Sequence, residues 1–278
     1  MKEERYNIIG IDIQKECVGS FISNVYLQCP AVVSPDYEDF IRNVIIAYKV
    51  DCVFVTHPND TTIWSKLKET FDCRVFVNDA TIVDIADDKQ KTYEWCINND
   101  IDIPNVVDVN YRPCVIKPLR GCGSNGVVFL KDNAPSPDVS SECIIQRLIT
   151  GDEYTVDVIT DENSNIINIV PKKRLLIKNG QSFKSVTCMD YDIIEFVRNV
   201  VSKLKSKYVI NVQVIKERDT NNIFLIEINP RWATTISLSI EAGVNMPVML
   251  IENDYTPKEV RNNLLMIRDY HEYFCQLH

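Results

Sequence analysis

Residues 211–231 read NVQVIKERDTNNIFLIEINPR, two β-rich runs flanking a polar loop. The run 223–229 alternates, and side chains two apart along a strand share a face, so Glu227 and Asn229 lie on one side. A second run covers 209–216, and the loop 217–222 between them predicts a hairpin that draws Gln213 close to Glu227. One carboxylate and two amides thus converge on an apolar strand pair, with Arg231 just beyond. Oxygen donors of this kind suit a hard cation, because Mg²⁺ commonly takes one or two carboxylates and completes its shell with phosphate oxygens and water. Gln213, Glu227 and Asn229 are therefore the expected metal ligands, for Mg²⁺ (or Mn²⁺) carried on a triphosphate.

Toward the N-terminus, short apolar runs (6–11, 52–55, 73–77) alternate with segments of helical spacing (37–48, 61–70). That pattern predicts an α/β layer over residues 1–83. Such layers normally open on a strand and a glycine-rich turn; here only MKEER precedes the first run, so the layer is expected to be a shortened one. A helix-rich stretch then reaches about Asp100, with Lys89 early in it and Pro104 ending it. From Cys114 the pattern changes to strand, glycine-rich turn and strand through Leu130, a loop at 132–141, and a strand at 143–148. Strands at 154–160 and 166–170 and a helix at 191–205 lead to the hairpin. The tail 263–274, NLLMIRDYHEYF, reads as an amphipathic closing element packed on the preceding domain, an interface helix being the alternative.

Two further stretches carry chemistry. Residues 115–130, VIKPLRGCGSNGVVFL, set Lys117 at a strand end and Gly121, Gly123, Ser124 and Gly126 in the connection, where backbone N–H groups can approach phosphate oxygens. The same residues also read as a hairpin with a loose tip and a surface lysine. No Lys-Ser/Thr follows the last glycine, so this is not a Walker loop. Cys122 within it reads as loop filling, sensitive to oxidation rather than catalytic. Residues 144–158, IIQRLITGDEYTVDV, offer backbone groups at Arg147, Leu148 and Ile149 to a purine edge and Glu153 to ribose hydroxyls. A solvated hinge with a surface acid is the plain alternative, as is a merely solvated Lys89.

The order Lys89, Lys117 with its glycine loop, Gln146 to Glu153, Gln213, then Glu227-Ile228-Asn229-Pro230-Arg231 resembles the ATP-grasp superfamily, and within it the carbamoyl-phosphate synthetase type of carboxylate–amine ligase. The resemblance covers about residue 84 to the end and, loosely, the N-terminal α/β layer too. It implies an α+β fold of two lobes with antiparallel sheets, a small lobe at about 84–146 and a large one at about 147–278, following the α/β layer. It also implies roles: Lys89 and Lys117 on phosphates, Ser124 and the loop glycines over them, Gln146, Arg147, Leu148 and Ile149 framing adenine, Glu153 facing ribose, and Arg231 beside the transferred phosphoryl group. Gln146 departs from the glutamate of many relatives, which keeps a hydrogen-bonding group and loses a charge. Residues 171–187, PKKRLLIKNGQSFKSVT, match a basic segment near the γ-phosphate, with Arg174 and Lys184 as the expected inward-facing members; a charged hairpin in solvent is the alternative.

The chain has 278 residues, 45% of them hydrophobic, enough for a sizeable core. A net charge of −9 disfavours non-specific nucleic-acid or anionic-membrane binding. No apolar run is long enough to span a bilayer and the start lacks a secretory signal, so a cytoplasmic location is expected. Ten cysteines without C-x-x-C and only 3 histidines exclude the usual zinc and iron–sulfur spacings and leave no hydrolase triad. The expected partners are a small carboxylic acid and an amine, with ATP and Mg²⁺ as cofactors; a homodimer is compatible with the sequence. The leading expectation is an ATP-dependent ligase, the alternatives a small-molecule kinase of the same fold or a nucleotide-binding, non-catalytic subunit.

Overall fold

The computed structural model describes residues 5–121 and 123–274, so the expectation for Cys122 falls outside it. The chain forms two compact units. The first draws on residues up to Val53, on Thr70–Arg74 and on those from Asp269. In it β1 (Ile9–Asp12) and β2 (Val25–Gln28) pair in parallel around α1 (Val18–Ile22), followed by α2 (Tyr37–Tyr48). Tyr37, Ile41 and Val44 on α2 recur every three or four residues and are its buried face. The segments β3 (Cys52–Phe54) and β4 (Arg74–Phe76) form a second two-stranded sheet.

The second unit, Phe54–Glu69 with Val75–Arg268, holds the remaining elements. It opens with α3 (Pro58–Leu67), α4 (Ala80–Asp87) and α5 (Lys89–Asn98); the expected boundary at 83/84 falls inside α4. A three-stranded antiparallel sheet follows, ordered β6-β5-β7, from β5 (Cys114–Pro118), β6 (Val128–Leu130) and β7 (Cys143–Arg147). The larger sheet comprises β8 (Gly151–Thr160), β9 (Ile166–Lys178), β10 (Gln181–Thr187), β11 (Val209–Glu217), β12 (Ile223–Asn229) and β13 (Leu265–Ile267), with α6 (Tyr191–Leu204), α7 (Ile236–Glu241) and α8 (Met246–Glu252). Its order is β12-β11-β8-β9-β10-β13 and all its described pairings are antiparallel. Two antiparallel sheets with flanking helices make this an α+β fold. The tail expected as an amphipathic closing element is in part an edge strand, β13, paired to β10.

The two faces of the large sheet differ in chemistry. On one, Tyr154, Val156 and Val158 of β8 and Ile210, Val212 and Val214 of β11 meet Ile193, Val197, Val200 and Val201 of α6 in the main core. Asp190 caps that helix, its carboxylate accepting from the Asp192 and Ile193 N–H groups at 3.0 and 3.4 Å. The opposite face carries polar rows among buried apolar residues such as Val170 and Ile215: cross-strand register aligns Glu227, Gln213, Thr155, Lys172 and Thr187 in one row and Asn229, Asn211 and Asp157 in the next.

A β-bulge creates this segregation on β12. Gln213 pairs with Glu227 but Val214 pairs with Leu225, so Ile226 is the extra residue. Leu225 therefore enters the core while Glu227, two positions on, turns to the polar face with Asn229. Without the bulge, strict alternation would bury Glu227 beside Leu225.

Candidate active site

Helix α5 begins where the glycine loop ends its strand. Asp88 caps it, accepting from Gln90 and Lys91 N–H, and the Lys89 N–H donates to Leu119 O at 2.9 Å, which holds the Lys89 ammonium 3.3 Å from Gly121 O. Lys117, at the end of β5, donates to Gln146 Oε1 at 2.9 Å, and Gln146 in turn donates to Pro104 O at 3.0 Å. Burial pushes the Lys117 ammonium down to about 8; Glu227 opposes the fall, Lys89 adds to it, and Glu153 opposes it again. A lysine so poised is short of negative charge, which a triphosphate would supply.

Arg174 organises the opposite wall. One guanidinium nitrogen donates to both Glu153 Oε2 and Gln213 Oε1 at 3.0 Å, another to Gly180 O at 2.6 Å, and Nε to Ser182 at 2.9 Å. Its side chain is only 7% exposed, matching the expectation that it faces inward. Burial lowers its pKa against the pull of Glu153 and Glu227. Lys184 contradicts that expectation: the register slips between Ser182 and Lys184 and again before Ser185, which buries both serines and turns Lys184 out to solvent. The buried lysine of the segment is Lys172 instead.

Two cavities share a wall in this unit. One, of about 160 Å³, is lined by Lys89, Lys117, Gly121, Gly123, Ser124, Arg147, Leu148, Ile149, Glu153, Arg174, Gln213 and Glu227. The other, of about 220 Å³, is lined by Lys89, Gly121, Gln146, Glu227, Asn229 and Arg231, with Asn59 and Thr61 of α3 and Asp87 of α4. Lys89, Arg120, Gly121, Ile226 and Glu227 border both. Gly126 and Lys184 line neither; a side chain at Gly126 would come within 2.9 Å of Pro118, so that glycine lets the loop lie against β5. The N–H groups of Arg147 and Leu148 donate to Asn105 O and Pro113 O, so a purine edge along this stretch would meet its other backbone groups. The Arg147 side chain instead pairs with Glu217 at 2.9 Å and lies over the Phe224 ring.

The donors proposed for a metal form a partial set. Gln213 Nε2 donates to Glu227 Oε2 at 3.0 Å, and Asn229 Oδ1 accepts from Arg231 at 3.1 Å. Each amide oxygen keeps a second lone pair beyond its arginine partner. No group of three or more His, Cys, Asp or Glu residues suited to a metal occurs among the described residues. One carboxylate with two amides fits a Mg²⁺ ion held jointly with phosphate oxygens, and does not fit an ion caged by protein alone.

Sequence reasoning missed Arg120, Asn59 and Thr61. Arg120 stands at the mouth of the glycine loop, 3.7 Å from Asp87 and 3.6 Å from Asp88, and its place beside Gly121 was the available clue. Asn59 and Thr61 come from a helix assigned to the N-terminal layer, and nothing local links them to the site.

The family model of the ATP-grasp domain matches residues 86–235, more than half of the chain. The chain belongs to the ATP-grasp family. It is 24% identical to the carbamoyl phosphate synthase large chain of Clostridium acetobutylicum, over 78% of this chain and 23% of that protein. It therefore spans less than a quarter of that relative. Among solved structures it superposes on N5-carboxyaminoimidazole synthetase from Staphylococcus aureus, complexed with ADP, with a TM-score of 0.75 at 14% identity, covering 94% of this chain and 75% of that one. L-amino acid ligase from Bacillus licheniformis gives 0.70 at 16%, over 91% and 69%. Rhizobium etli pyruvate carboxylase gives 0.73 at 12%, over 92% of this chain and 28% of that one. At these identities the superpositions establish the ATP-grasp fold. The family uses ATP with Mg²⁺ in ligation at carboxylates, and among the described residues no helix is long and apolar enough to cross a membrane.

Proposed function

We propose that this chain is an ATP-dependent carboxylate–amine ligase that activates a small carboxylic acid as an acyl phosphate and passes the acyl group to an amine, with its site in the second compact unit. The observation that carries this reading is the shared wall of the two cavities. Lys89, Gly121 and Glu227 face both, so a triphosphate lying along Lys117 and the glycine loop would present its terminal phosphate to the cavity that contains Arg231.

In that arrangement a carboxylate oxygen attacks the γ-phosphorus and the bond to the β-phosphate oxygen breaks, releasing ADP. The amine then attacks the acyl carbon, and phosphate and a proton depart. No side-chain nucleophile is required. Lys89 and Lys117 hold the phosphates, Arg231 stabilises charge developing on the transferred group, and Arg174 fixes Glu153 and Gln213. Glu227, Gln213 and Asn229 would hold Mg²⁺, which when bound neutralises phosphate charge.

A screen of ADP release with Mg·ATP against pooled carboxylic acids and amines, with mass spectrometry of products, tests the proposal. Substrate-dependent ADP release with an amide product, lost in Arg231→Ala, is the expected result. A stable phosphoester would make the protein a kinase, and no release with any pool would overturn catalysis.

A further inference from the structure

Farther along the two rows that carry the metal-ligand candidates lies a charged pair that the proposed chemistry leaves unused. Lys172 is 0% exposed and Asp157 1%. The Lys172 ammonium donates to Asp157 Oδ2 and, at 3.2 Å, to the backbone carbonyl of Thr235. Asp157 also accepts from Ser239 at 2.6 Å and from Asn211 Nδ2 at 3.0 Å. Asn211 is the cross-strand partner of Asn229, and Thr235 lies four residues past Arg231. The preceding carbonyl, that of Thr234, accepts from Arg268. Two cations thus hold consecutive carbonyls of the segment that leaves Arg231, and Ser239 ties the helix after it to the same carboxylate.

Stability alone explains this arrangement poorly. Burying two charges costs about as much as their attraction returns, and apolar residues of similar volume often serve as well. What the pair supplies is a fixed geometry, joining β8, β9 and β11 to the segment 231–239.

We propose that Lys172 is a positioning residue: by joining Asp157 to the Thr235 carbonyl it holds the segment after β12 so that Asn229 and Arg231 meet a metal–nucleotide complex. The proposal rests on the Mg²⁺–nucleotide reading of the site and adds to it the group that orients the ligands. Outer partners of metal ligands typically change metal affinity on the order of 10–100-fold when removed.

The test is isothermal titration of a non-hydrolysable ATP analogue with and without Mg²⁺, on wild type, Lys172→Met/Asp157→Asn and Ser239→Ala. The double substitution removes both charges together and leaves no buried carboxylate unpaired; Ser239→Ala keeps the ion pair and cuts only its tie to α7. Expected are unchanged Mg²⁺-free affinity in both variants, and a Mg²⁺-dependent gain reduced about tenfold or more in the double variant and by a smaller factor in Ser239→Ala. A purely structural role would instead lower both affinities together. A full Mg²⁺-dependent gain in either folded variant overturns the proposal. Absence of that gain in wild type overturns the underlying nucleotide–metal reading, so the two failures are told apart.

Discussion

Lys117 gives the account a quantitative test through proton uptake. With its pKa near 8 in the nucleotide-free protein against an ordinary 10.5, the folded chain has lost a proton that the unfolded chain still holds between those values. Stability of the free protein therefore rises with pH across that window, and below pH 8 the full cost of the buried ammonium persists, up to about 3 kcal/mol. A triphosphate beside the ammonium would return its pKa to the ordinary range and draw in a proton. Uptake on binding should be below about 0.1 proton at pH 7, about 0.5 at pH 8 and about 0.9 at pH 9. Titration calorimetry in two buffers of different ionisation enthalpy at each pH measures the number directly. Lys117→Met should remove the pH-dependent part and weaken nucleotide binding. Uptake that does not change between pH 7 and 9, or that survives in Lys117→Met, would refute the placement of phosphate beside Lys117.

Gly180 sits at φ +72°, and an added Cβ would lie 2.8 Å from Gly123 and from the Ser124 hydroxyl. Gly180→Ala should cost about 1–3 kcal/mol of backbone strain, seen in thermal melts, and should displace the glycine loop, weakening ATP binding in the same sample. Asp190→Ala removes the cap of α6 and one partner of Lys216, whose pKa Asp190 helps push up to about 12. It should lower stability by about 1–2 kcal/mol in urea titration with nucleotide affinity unchanged. Ile193→Ala, at a 0% exposed core position, should cost about 2–5 kcal/mol in the same assay.

Legibility in the sequence followed locality. Helix α2 and strand β12 have the bounds that spacing and alternation predict, 37–48 and 223–229, because their own residues carry the pattern. The meeting of Gln213 and Glu227 was readable from the polar loop between two apolar runs. The bulge at Ile226 was not, although it alone sends Leu225 and Glu227 to opposite faces. Strand β9 was expected to stop at Val170 and runs to Lys178, and the charged hairpin weighed for 171–187 does form, but which of its basic residues turn inward depends on partners the segment does not contain. Those partners, Asp157 for Lys172 and Glu153 with Gln213 for Arg174, lie across strands and leave no trace in local periodicity. Lys184 faced the wrong way in the sequence reading for the same reason, because a register slip is a property of a strand pair.

Glu227, Gln213 and Asn229 are proposed to take up a divalent ion together with a triphosphate. Electron paramagnetic resonance of Mn²⁺, titrated with protein in the presence and absence of a non-hydrolysable ATP analogue, addresses it most directly. Mn²⁺ should be immobilised on the protein only when the nucleotide is present, and Glu227→Gln should abolish this. Mn²⁺ that stays free with nucleotide bound, or is held equally well by Glu227→Gln, would contradict it.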